Sequence, residues 1–308
     1  MTAAVGWPWC FFIVVPLGLV SATLAPAVLR ESRDEQAPPL DVLGALLAAA
    51  GFGALVFGIV RFEQDGADAA PVLVGAAILL ATFVAVEHRL STPMVRLAIF
   101  RHRPLTGANL SIAANAGGFT GIMFIATLYL QQVLGYSALE TGLAFIPLAL
   151  SACIGGLLAT RIVAWAGPRR TAAVSMTISA AAFVLLSHTP NHNGYAPVLL
   201  PAFLIAGFTI AAAFVPLTAQ GLTGVREGEK GLASGLFQTS THLGAAIVLS
   251  VLATAATSRT SAAEAAGQTS HAAMTSGFSV AFLIAAALLA LGAATAARTL
   301  PSTRASND

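Results

Sequence analysis

Nine almost uncharged stretches of roughly 20 residues, each closed by a short polar or basic connection, govern what this chain can become. A hydrocarbon layer admits only segments that satisfy their own backbone groups, so runs of this length read as membrane-crossing helices. They fall at Trp7 to Leu29, Asp41 to Val60, Pro71 to Val86, Gly107 to Leu130, Thr141 to Val163, Thr171 to Ser187, Ala196 to Ala219, Gly231 to Ala256 and Thr275 to Ala297. With 57% hydrophobic and 9% charged residues over 308 positions, a water-soluble domain is excluded. The expected fold is all-α and integral to a membrane.

The stretch Leu128 to Leu150, LYLQQVLGYSALETGLAFIPLAL, holds two crossings and their connection. One run ends at Gln131 and Gln132, a short link without Lys or Arg follows, and the next run starts near Thr141. So short a link makes the two helices antiparallel neighbours. Across the chain, Lys and Arg collect on alternate connections: Arg30 and Arg33; Arg89, Arg96, Arg101 and Arg103; Arg161, Arg169 and Arg170; Arg226 and Lys230; Arg298 and Arg304. Only Arg61 and Arg259 fall on the other side. The positive-inside rule then puts the C-terminus in the cytoplasm and, after nine crossings, the N-terminus outside a plasma membrane.

Six runs from Gly107 onward follow one another without a long break and are expected to form one six-helix domain, preceded by one helix and a two-helix insert. Pro38 and Pro39 separate the first helix from the insert. Glycines at Gly44, Gly51, Gly53 and Gly58 suit close helix packing in the second run. The link EHRLSTPMVRLAIFRHRPL interleaves Val95, Leu97 and Ile99 with basic residues, as a segment lying on anionic headgroups would. AFIPL at Ala144 and AFVPL at Ala213 do not make an internal repeat, because Pro147 and Pro216 fall at opposite ends of their helices. Cys10 and Cys153 lie inside apolar runs as small hydrophobes.

Ionisable groups deep in lipid are costly and mark function. Asp41, Glu87 and Glu140 sit at helix ends, where water is expected to reach them, and no Asp or Glu occupies the middle of a run. His242 is about twelve residues into its helix, roughly 18 Å from its start at 1.5 Å per residue. In GLASGLFQTSTHLGAA, helical spacing gathers Gly231, Ser234, Gly235, Gln238, Thr241, His242 and Ala245 on one small, polar face. That face either lines a substrate cavity or bonds to neighbouring helices. Ser111 and Asn115, one turn apart, carry the same two readings. His188 and His192 flank Pro190 in a connection and make a poor metal pair. No catalytic motif, metal site or cofactor site is called for, so an enzyme is not expected.

These residues point to a family. The chain resembles the later part of the fourteen-helix drug:proton antiporters of the major facilitator superfamily, the multidrug-efflux branch. The matching stretches are WPWCFFIVVPLGL with the following ES, LYLQQVLGYSALETGLAFIPLAL, AFVPLT and GLASGLFQTSTHLGAA. The resemblance implies two six-helix bundles that alternate access to a midplane cavity, with residues 1–30 as the last helix of the first bundle. Residues 31–106 would then be two inserted helices and a cytoplasmic loop, 107–298 the complete second bundle and 299–308 a cytoplasmic tail. The first five helices of the family, with their acidic proton-coupling residues, have no counterpart here. The implied partners are the lipid bilayer, a small amphipathic substrate, protons and a chain supplying the missing helices; no nucleic acid is expected. In the gating loop TRIVAWAGPRR, Arg161, Gly167, Arg169 and Arg170 fit the family pattern, but its acidic and following basic positions fall on Ala164 and Trp165.

Overall fold

The long apolar runs fold as helices that turn back on one another through connections too short for any other arrangement. The computed structural model describes residues 12, 14–28, 41–89, 102–189, 195–223 and 230–302, and among them there is no strand. The chain divides into two compact units, residues 1–40 and 41–308. Within the first, helix α1 covers Val14–Val28. The Trp pair, Cys10, the Pro38–Pro39 break, most of the basic link and His192 lie outside the described residues.

The second unit opens with a helical hairpin, α2 (Val42–Asp65) and α3 (Ala70–Arg89), joined by a 3-10 turn at Gly66–Ala69. Asp41 caps α2, its Oδ1 accepting the Gly44 N–H at 2.8 Å. Six crossings follow: α4 (Arg103–Leu128), the short α5 (Ala138–Ala144) running into α6 (Ile146–Ala166), α7 (Pro168–Leu186), α8 (Leu200–Gly221), α9 (Lys230–Ala265) and α10 (Ser270–Thr299). A π-helical turn at Tyr129–Val133 prolongs α4, and another at Tyr195–Leu199 precedes α8. Among the described residues, eight helical segments of this unit are long and apolar enough to cross a membrane; α1, described over 15 residues, falls short of that length. Successive reversals bring Arg103, the Arg161–Arg170 turn and Arg298 to one end of the bundle and Arg259 to the other.

Helix α4 packs against α8, α9 and α10, α6 lies on α8, and α10 lies on α7 and α9. Tyr129, Phe183, Phe203 and Phe282 are the largest fully buried side chains. Phe203 stacks on Phe145 at 5.1 Å between centroids and meets the edge of Tyr195 at 6.5 Å. The α6–α8 seam is close because its residues are small. A Cβ on Gly155 would run into the Phe208 carbonyl, and one on Gly207 into the Leu148 carbonyl and Ser151 Oγ. Tyr195 donates to the Ala144 carbonyl at 2.9 Å, and burial, with Tyr136 beside it, holds its phenol above the usual tyrosine value.

Three local expectations change. The second helix of the Leu128–Leu150 stretch begins at Ala138, not near Thr141, because Ser137 and Glu140 form a reciprocal capping box. Glu87, expected in water, is only 2% exposed, because the Asp41–Gly44 turn of α2 packs onto its carboxylate. Helix α9 continues nine residues past Ala256, through the polar stretch TSRTSAAEA, before Gly267 breaks the path at φ +84°. The extended pair is tied by Arg259 Nε donating to Ser276 Oγ at 2.9 Å.

Candidate functional site

The polar face of α9 divides into two kinds of residue. Leu232 and Leu236 are half-buried and Ala233, Phe237, Val248 and Leu252 buried, because this side packs into the bundle. Gly231, Ser234, Gly235, Gln238, Thr239 and His242 are exposed on the opposite side. Thr241 is half-buried and its hydroxyl returns to the Phe237 carbonyl at 2.8 Å, so it is bound within its own helix. Gln238 and His242 make no hydrogen bond among the described residues and open into a groove of about 790 Å³.

The facing wall is α2, whose Phe52, Gly53 and Phe57 lie across from Gln238, Thr239 and His242. Spacing explains this wall. Gly44, Gly51 and Gly58 recur every seven residues and form the seam toward α3, where a Cβ would meet Glu87, Leu80 and Leu73 respectively. Gly53 is off that seam, with nothing within 4 Å of a Cβ. Sequence reading grouped all four glycines as packing residues and missed the α2 wall. The seven-residue interval was the signal that could have separated Gly53 from the others. The Arg61 guanidinium lies 5.6 Å from the centroid of the Phe57 ring and covers one of its faces.

Ser111 and Asn115 are elsewhere. Both are buried inside the bundle, Ser111 donating to the Gly292 carbonyl at 3.0 Å and Asn115 Nδ2 to the Ile210 carbonyl at 3.2 Å. They tie α4 to α10 and α8 and do not reach the groove; Asn115 Oδ1 is buried without a hydrogen-bond partner. The Arg161–Arg170 turn closes through one residue. Gly167, at φ +81°, donates to the Val163 carbonyl at 2.9 Å and accepts from the Thr171 hydroxyl at 2.8 Å. Arg161 and Arg170 are exposed and Arg169 half-buried, and Trp165 beside them is 87% exposed. Among the described residues no three His, Cys, Asp or Glu side chains converge on a metal-sized space.

A bundle of six crossings with its small, polar helix face turned outward is half of a familiar arrangement, and sequence comparison agrees. The profile of the Major Facilitator Superfamily matches residues 1–249. The chain belongs to that superfamily. Among curated relatives, the puromycin resistance protein pur8 of Streptomyces alboniger is 30% identical over 304 residues, 95% of this chain and 60% of that protein. The lincomycin resistance protein of Streptomyces lincolnensis is 30% identical over 257 residues, 82% of this chain and 53% of its own length. The tetracenomycin C resistance and export protein of Streptomyces glaucescens is 30% identical over 259 residues, 83% of this chain and 48% of its own length. This major facilitator chain therefore spans about half of the relatives it matches. It is a multi-pass membrane protein of a transporter superfamily, and the relatives are named for resistance and export.

Proposed function

We propose that this chain forms the C-terminal six-helix bundle, with the inserted helices, of a multidrug-efflux transporter of the plasma membrane, moving small amphipathic compounds out by proton antiport. Its Arg-rich end and C-terminus face the cytoplasm, as the segregation of Lys and Arg supports, and the N-terminus faces outside. The observation that carries the reading is the outward polar face of α9. Gln238 and His242 stand 8 and 12 residues into the helix from Lys230, about 12 and 18 Å along it. At that depth water does not reach a lipid-facing amide or imidazole, so such groups belong at a substrate path or against other helices.

Proton coupling needs a group that binds proton and substrate in competition. The membrane interior of the described helices carries no such carboxylate; Glu87 lies near the end of α3, two residues before Arg89. The coupling group and the opposing bundle are therefore supplied by additional helices, in this chain's partner or in a longer form of it. A non-transporting membrane module is the second reading, favoured by the same lack of a midplane acid.

The test is efflux of a fluorescent amphipathic dye from pump-deficient bacteria, with the chain expressed alone or fused to the part of the puromycin-resistance relative that it does not match. Export is expected only from the fusion, abolished by collapsing the proton gradient and reduced at least tenfold by Gln238→Ala with His242→Ala. Export by the chain alone would overturn the need for further helices. A well-expressed fusion that exports nothing would leave the non-transporting reading.

A further inference from the structure

We propose that the groove between α2 and α9 is a binding site for planar aromatic compounds, neutral or anionic, that enter it sideways from the bilayer. This deepens the reading of the α9 face as a substrate path and rests on it. The groove's volume, about 790 Å³, falls within the range of small-molecule pockets. Its shape follows from four features of the two helices. Phe52 and Phe57 supply aromatic surface on one wall, where a flat ring system stacks in offset or edge-on geometry. Gly53, with open space where a side chain would be, lets that ring system lie close to the α2 backbone. On the other wall Thr239 commits its hydroxyl to the Gly235 carbonyl at 2.9 Å, so the Gln238 amide and the His242 imidazole are the groups left to hydrogen-bond a ligand.

The charge preference comes from the lining. Among the described residues no Asp or Glu borders the groove, so a bound cation there would lose its hydration with no counter-charge from them to replace it. One face of Phe57 is already covered by the Arg61 guanidinium, which excludes a second cation from that face. Gln238 and His242 each present an N–H donor, and an acceptor-bearing edge of a neutral or anionic aromatic satisfies both. Entry is lateral because both walls are membrane-crossing helices and the polar atoms sit about 12 and 18 Å from the start of α9.

The experiment uses the full 308-residue chain in phosphatidylcholine nanodiscs with three probes that share one ring system: pyrenemethanol, pyrenesulfonate and pyrenemethylammonium. Fluorescence polarisation above that of protein-free discs reads saturable binding. Pyrenemethanol and pyrenesulfonate are expected to bind saturably, with pyrenemethylammonium at least tenfold weaker. Gly53→Leu, which fills the groove, and Gln238→Leu with His242→Leu, which removes the donors, are each expected to weaken binding tenfold or more. Gly156→Leu on α6, where a side chain also meets open space outside the groove, is expected to bind as the parent does. Equal affinity for the cation, undiminished binding in the groove variants, or no saturable binding by folded parent protein would each overturn the proposal. The same variants in the fusion separate the two claims. Export that ignores Gly53→Leu sinks the groove and leaves transport standing, whereas selective binding without export in any form sinks transport and leaves the groove.

Discussion

Two neighbouring glycines on α6 should respond to alanine with opposite signs. Gly155 faces the backbone of Phe208 on α8, where an added Cβ would lie 2.9 Å from the Phe208 Cα and carbonyl carbon and closer still to its oxygen. Backbone cannot rotate away as a side chain can, so the helices must part by about 1 Å at that point. A gap of that size forfeits a quarter to a half of each ~0.1–0.2 kcal/mol atom pair, or about 1–2 kcal/mol if roughly 30 pairs along the seam are affected. The cross-helix bond from Ser151 Oγ to the Phe203 carbonyl, 3.3 Å long and on the same seam, is stretched as well. Such interhelical bonds are worth about 0.6 kcal/mol in a membrane bundle. Against this stands the gain of replacing glycine by alanine within a helix, about 0.8–1.0 kcal/mol. Gly155→Ala should therefore destabilise by about 1 kcal/mol net, summing these terms. Gly156→Ala, with nothing within 4 Å of its Cβ, keeps only the propensity gain and should stabilise. Thermal unfolding of the two variants in one detergent, followed by circular dichroism, is expected to separate their midpoints by roughly 4–8 °C. Equal shifts in the same direction would refute the close α6–α8 approach and the packing built on it.

Gly167→Ala forces a Cβ into φ +81° and should cost about 1–2 kcal/mol, read as a lower midpoint in the same unfolding assay. Asn115→Leu loses one bond to the Ile210 carbonyl but also removes the orphaned Oδ1, so its stability should stay within about 0.5 kcal/mol of the parent or rise. A loss of several kcal/mol would mean that Asn115 has a partner inside the bundle beyond that carbonyl. Tyr195→Phe removes the bond to Ala144 and should cost about 1 kcal/mol at neutral pH. Burial beside Tyr136 raises the folded-state pKa of Tyr195 above its ordinary value of 10.0, so the neutral phenol is the form the fold favours. Its contribution is complete below that ordinary value and is lost as pH rises through the folded one. Between pH 9 and 11 the parent's midpoint should therefore fall more steeply than that of the Phe variant.

The all-helical class and eight of the nine expected crossings were legible because the run length needed to cross a bilayer is a property of the sequence alone. So was the grouping of Arg103, Arg161, Arg169, Arg170 and Arg298 at one end, since each reversal follows from a short connection. Helix ends were less legible. The Ser137–Glu140 capping box and the polar extension TSRTSAAEA to Ala265 moved two boundaries, because a helix continues beyond the apolar run that marks it in the sequence. The family resemblance rested on the Trp7–Leu19 stretch with the following Glu31 and Ser32, and on the Leu128–Leu150, AFVPLT and Gly231–Ala246 stretches, and the superfamily match over residues 1–249 covers all four. The site was half legible. Periodicity placed Gln238 and His242 on one face of α9, but which helix stands opposite is a tertiary fact, and Phe52, Gly53 and Phe57 carry no polar mark.

Polar residues in these helices have two physical fates, and the proposed substrate path rests on the difference between them. Ser111, Asn115, Ser151, Ser179 and Thr209 are buried, and each bonds a carbonyl or hydroxyl across a helix interface. Removing water from such groups is tolerable because a protein partner replaces it, and their contribution is to hold one arrangement of the bundle. Gln238 and His242 are exposed, within a crossing helix, and make no such bond among the described residues. A residue kept for packing alone would be cheaper there as leucine, as at Leu232, Leu236 and Leu243 on the same helix. Two polar side chains one turn apart, opening into the same groove opposite two aromatic rings, are the feature from which the aromatic site is proposed, and further helices packed on α9 are the alternative partner for them. An amphipathic aromatic compound offers both a flat apolar body and a hydrogen-bonding edge, so the proposal of a substrate path rests on the exposed pair on α9 and not on the buried polar network.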